Sequence, residues 1–113
     1  APAANTQATA SKAAGGAGVR HVCTAVSFTL VAGASAPTAA TATVNLRDGA
    51  TGAGTILMSW TVAISAVAGA CNTVSLGGLN IVGTANTAMT LEYSGSAGAN
   101  TTESVNLVGY STT

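Results

Sequence analysis

The sequence predicts an all-β fold, an antiparallel β-sandwich of jelly-roll-like form with about seven or eight strands and an extended N-terminal arm. Three observations lead there. Apolar and polar residues alternate with period two through several short runs. Glycine-containing turn signals separate those runs roughly every ten residues. No segment carries the apolar period of an amphipathic helix.

Residues 1–18 form the arm. They are rich in Ala, Gly and Thr, and Lys12 is their one charged side chain. Pro2, Gly15, Gly16, Gly18 and several Thr oppose a helix, so the composition reads as extended and flexible. Residues 19–113 form the sandwich domain. Val22, Thr24, Val26, Phe28 and Leu30 share one parity, and Cys23, Ala25, Ser27 and Thr29 the other. A break from Gly33 to Pro37 ends that strand. Thr41 to Leu46 is the next, stopped by Asp48-Gly49, a strong hairpin signal. Ile56 to Ile64 follows, with Ile56, Met58, Trp60, Val62 and Ile64 expected on one face. Gly69 marks a turn, Thr73 to Leu76 is a short strand, and Gly77-Gly78 leads into Leu79 to Val82. After a loop from Gly83 to Asn86, Met89, Leu91 and Tyr93 alternate with Thr90 and Glu92. A Gly/Ser/Ala loop from Ser94 to Asn100 precedes the last strand, Ser104 to Tyr110.

Composition narrows function. The 113 residues fit one domain, and 48% of them are hydrophobic. Only 5% are charged, against about 25% in an average soluble domain. Lys12, Arg20 and Arg47 cannot build the clustered cationic face that phosphate backbones require, so nucleic acid is not an expected partner. No apolar run reaches the roughly 18 residues of a membrane-spanning helix, so no membrane is expected either. The N-terminus shows no charged region followed by an apolar stretch. The surface must consist of Ser, Thr, Asn, Gly and Ala, which reads as a contact surface for other protein.

Catalysis is hard to assemble from these residues. His21 is the only histidine, and the acids are Asp48, Glu92 and Glu103. A hydrolase needs a nucleophile, a base and an orienting acid together, and no G-x-S-x-G turn is present. His21 therefore reads as a residue of the arm-to-domain junction, and the chain as no enzyme. Cys23, Cys71 and one His lack zinc spacing, and Asp48 with Asn45 is too little for calcium. No cofactor or metal is expected. Cys23 and Cys71 either bridge the two sheets or remain buried free thiols; nothing signals an oxidising compartment, which favours thiols. Glu92 and Glu103 are expected to pair with Arg20 or Arg47 across strands or subunits, and Arg47-Asp48 to stiffen the hairpin. Trp60, Tyr93 and Tyr110 are the aromatics a sugar-binding face would use. The parity of Trp60 places it in the core, and Tyr110 is the better candidate for exposure. Asn100-Thr101-Thr102 matches a glycosylation sequon, a pattern short enough to be accidental.

Several segments carry a resemblance together: Arg20-His21-Val22-Cys23-Thr24-Ala25; Val44-Asn45-Leu46-Arg47-Asp48-Gly49-Ala50 with Gly52 and Gly54-Thr55-Ile56-Leu57; Leu79-Asn80-Ile81-Val82-Gly83-Thr84 with Asn86-Thr87-Ala88-Met89-Thr90-Leu91-Glu92; and Ser104-Val105-Asn106-Leu107-Val108-Gly109-Tyr110. In pattern this resembles small virion structural proteins of tailed bacteriophages, among which capsid decoration (cement) proteins are often small β-rich domains. The resemblance implies a place in a virion, on capsid surface, head fibre or tail; the leading reading is the outer capsid surface, after synthesis in the host cytoplasm. It implies as partners the major capsid protein and neighbouring copies of the chain. Capsid symmetry suggests a trimer. The arm, through Ala1, Pro2, Asn5, Thr6, Gln7, Thr9 and Lys12, would then drape over neighbouring subunits and add main-chain contacts. The rival reading is a carbohydrate- or host-surface-binding module of a head fibre or tail, with exposed aromatics lining a groove.

Overall fold

The computed structural model describes residues 6–33, 41–64, 67–95 and 100–113. Ala1, Pro2 and Asn5 of the expected arm lie outside these residues, as do most of the Gly33–Pro37 break and the centre of the Ser94–Asn100 loop. Eight strands occur in order: β1 (Thr9–Lys12), β2 (Arg20–Ala32), β3 (Thr41–Asp48), β4 (Thr55–Ala63), β5 (Cys71–Leu76), β6 (Ile81–Val82), β7 (Met89–Tyr93) and β8 (Thr101–Thr112). One sheet has the order β1-β7-β3-β4. In the other, β2 is central, with β8 along one side and β5 and β6 sharing the other. Every pairing is antiparallel, so the protein is an all-β sandwich.

The two sheets close on one core. Val26, Phe28 and Leu30 from β2 meet Val44 and Leu46 from β3, Val62 from β4, and Met89, Leu91 and Tyr93 from β7. Phe28 anchors it, with its ring 5.7 Å from that of Trp60 and edge-on to Tyr93 at 6.5 Å. These are favourable aromatic geometries, each worth about 0.5–1.5 kcal/mol beyond the burial itself.

Two β-bulges alter the expected faces. On β2 the register shifts between Cys23 and Ala25, so Cys23 joins the cluster of Val26, Phe28 and Leu30, while Val22, also buried, does not. An extra residue on one strand reverses the parity of everything before it. On β4 the partner of Leu46 is Met58 and that of Arg47 is Ile56, which leaves Leu57 as the extra residue. The expected apolar face of Ile56, Met58, Trp60, Val62 and Ile64 is therefore interrupted. Leu57 packs against the core while Ile56 is exposed.

β7 departs furthest from alternation, since all five of its residues are buried. Met89, Leu91 and Tyr93 face the core. The other side is covered by the loop joining β3 to β4, whose Gly52 N donates to the Glu92 carboxylate at 3.2 Å and whose Gly49 O accepts from Thr90 Oγ1 at 2.8 Å. That fold-back requires Gly54, which sits at φ 79° with an ideal Cβ position 2.1 Å from Asp48 O. No side chain fits there.

The N-terminal segment differs from a free arm. Thr9 through Lys12 pair with Glu92 through Met89, adding an edge strand to the molecule's own sheet. Small side chains suit this position. Ala8 N reaches Glu103 Oε1 at 3.1 Å, Gln7 Nε2 donates to Tyr93 O at 2.7 Å, and Ser11 and Thr90 hydroxyls meet at 2.9 Å. Thr6 is exposed.

Candidate functional site

Among the described residues, a groove of about 280 Å³ opens between β1 at the edge of one sheet and β8 at the edge of the other. Its lining includes Lys12 from β1, His21 and Cys23 from β2, Met89 from β7, and Leu107 and Tyr110 from β8. Met89 and Cys23 are core side chains, so the groove reaches down to the core. Tyr110, at 56% exposure, is its most open aromatic.

His21 closes one end of the groove. Its ring is buried, with Nδ1 2.7 Å from Ser111 Oγ and Nε2 2.7 Å from Ala13 O. A carbonyl only accepts, so Nε2 carries a proton and donates to Ala13 O. The histidine thus ties the segment after β1 to the end of β8, which is the junction role the sequence suggests. Both ring nitrogens are engaged. Gly109 is required beside it, because its ideal Cβ position lies 2.0 Å from Val22 O at the β2 bulge.

The cysteines are free. Cys23 pairs with Ile81 and Val31 with Cys71 in the β2 registers. The eight residue steps along β2 from Cys23 to Val31 correspond to roughly 26 Å of strand, far beyond the reach of a disulfide. Cys23 is buried and Cys71 exposed, which corrects the expectation of two buried thiols. Burial pushes the Cys23 thiol up from its ordinary value. Its sulfur contacts Ala25 O at 3.7 Å, not the imidazole.

The charged residues are largely consumed inside the fold. Arg47 Nε donates to Glu92 Oε1, and Glu92 is 1% exposed. The expected partnership is therefore found, but buried and not on the surface. Glu103 is buried, lies opposite Leu30 in the β2–β8 ladder and accepts from Ala8 N at 3.1 Å. Burial first, and the nearby Glu103 charge second, push the Tyr93 hydroxyl well above the ordinary tyrosine range. Tyr93 is fully buried, donating to Thr29 O at 3.1 Å, so it is no candidate for an exposed platform. Asp48 does more than stiffen the hairpin, accepting from Thr84 N at 3.0 Å and binding the Thr84 hydroxyl. Trp60 is half-buried against Phe28.

The groove was not foreseen in the sequence, because its walls come from strands distant in the chain. Tyr110 and His21 were the signals that pointed toward it. Among the described residues, no group of three or more His, Cys, Asp or Glu gathers where a metal could sit. Comparison with protein-family models, curated proteins and solved structures finds no match, so the likeness to phage virion proteins rests on the segments quoted above.

Proposed function

We propose that the chain is a structural virion protein, a capsid decoration (cement) subunit that binds the major capsid protein and neighbouring copies of itself on the outer shell. The observation that supports this reading is the disposal of charge. Of three cationic and three acidic residues, Arg47 and Glu92 neutralise each other, Glu103 is buried and Asp48 is bound to Thr84. Lys12 and Arg20 remain exposed. Neutral polar groups cost far less to cover than charges do, and the centres of protein interfaces are depleted of charge in the same way. The phage context comes from the sequence resemblance alone.

The test is location. Antibody raised against the purified chain, with gold labelling of particles from the organism that encodes it, should mark the heads. Particles that carry the chain on tails or not at all refute the decoration reading.

One observation favours the rival reading of a carbohydrate-binding module: Tyr110 is exposed and lines the groove. An aromatic face at a polar-rimmed groove can stack on a sugar ring. A glycan array should then give hits that vanish with Tyr110→Ala, and a blank array removes that reading.

A further inference from the structure

The edges of the sandwich are not alike. β1 is four residues long and ends in Lys12. β4 is bulged at Leu57. The edge of the second sheet opposite β8 is divided between β5 and the two-residue β6. Shortness, charge, bulges and interruption are the usual devices that stop an edge from pairing with another chain. β8 carries none of them on its own backbone over residues 104–112, since the one register shift in its ladder is an extra residue on β2. It is twelve residues long, it runs against β2 along its whole length, and among the described residues 104–112 pair with no second strand. The sequence there, Ser-Val-Asn-Leu-Val-Gly-Tyr-Ser-Thr, holds no charge and no proline.

β8 also carries exposed apolar side chains of its own: Val108 and Tyr110, two residues apart on the strand, are 54% and 56% exposed.

We infer that β8 is the pairing edge for a second copy of this chain, β8 against β8 and antiparallel, joining two sandwiches through one continuous sheet. Antiparallel pairing of a strand with itself is two-fold symmetric and closes as a dimer. It also requires that no like charges meet across the ladder. β8 satisfies this because its one charged residue, Glu103, is buried toward the core. The pairing would supply main-chain partners to residues 104–112 and bring Val108 and Tyr110 of the two copies onto a shared face. It deepens the assembly reading and rests on it only in taking copies of the chain as neighbours.

The test is light scattering on the purified full chain between about 1 and 100 μM, paired with amide hydrogen exchange. A dimer is expected at the upper concentration, with exchange in residues 104–112 slowing as concentration rises. Val108→Lys places two cations against each other and should weaken association at least about tenfold. Ile56→Lys, a change at another exposed apolar residue on the other sheet, should leave it intact. A chain that is monomeric throughout, a trimer, or a dimer that survives Val108→Lys overturns the inference. If Val108→Lys does not fold, concentration-independent exchange of the wild-type 104–112 amides overturns it. The head-labelling result is independent of all these outcomes, so failure of one proposal is separable from failure of the other.

Discussion

Glu92→Gln should show whether the buried ion pair holds the outer face of β7 together. Gln keeps the size of the side chain and one oxygen for the Gly52 N–H. It removes the charge that Arg47 Nε meets, and Gly52 N now lies 3.3 and 3.2 Å from two oxygens of which one becomes an NH₂ donor. Breaking one partner of a fully buried pair costs about 3–5 kcal/mol. The Arg47 side chain is 18% exposed, so water takes up part of its lost partnership. Its contact to Gly54 O is long, at 3.5 Å, and compensates little. A destabilisation of about 2–3 kcal/mol follows. For a chain of 113 residues this lowers the melting temperature by roughly 10 °C. Urea unfolding followed by Trp60 fluorescence measures it. The double-mutant cycle with Arg47→Met isolates the pair, and a coupling of at least about 1 kcal/mol is expected. A change under about 0.5 kcal/mol for Glu92→Gln, or strict additivity in the cycle, would refute the view that this pair organises the β3–β4 fold-back.

Three further outcomes are expected. Gly109→Ala drives a methyl group to 2.0 Å from Val22 O and should cost about 2 kcal/mol or more, whereas Gly77→Ala, with nothing within 4 Å, should be near neutral in the same urea assay. Stability should fall as pH rises through 9 and 10, the ordinary values of the thiol and phenol. Burial raises both groups in the folded state, so the unfolded chain sheds these protons first and gains from alkali; Cys23→Ala with Tyr93→Phe should flatten the alkaline limb of a pH–stability curve. His21→Ala removes the bonds to Ala13 O and Ser111 Oγ, so trypsin should cut after Lys12 several-fold faster, read by mass spectrometry, while equal rates would show that the latch is idle.

Much of the strand content was legible in the residues themselves. Period-two alternation marks Val26, Phe28 and Leu30 on β2 and Met89, Leu91 and Tyr93 on β7, and all six are in the core. Asp48-Gly49 stands at the end of β3, and Gly77-Gly78 follows β5. Of the groove, the sequence offered only the exposure of Tyr110 and the junctional place of His21.

By itself, then, the sequence determined that the chain is all-β, where most strands run, and that little charge is available to any surface. These are local or compositional properties, set by side-chain alternation, turn chemistry and residue counts. The tertiary structure alone decided where along β2 and β4 the inward side switches. The bulges after Cys23 and at Leu57 arise from register with a partner strand, and each reverses parity without any local mark. The same holds for the full burial of β7, which depends on a loop folding back over it, and for β1, whose Thr-Ala-Ser-Lys reads as arm until an open edge is placed beside it. The 26 Å or so along β2 between the cysteine positions likewise exists only once β5 and β6 are laid against that strand. Pairing energy belongs to two segments at once, and no single stretch of sequence displays it.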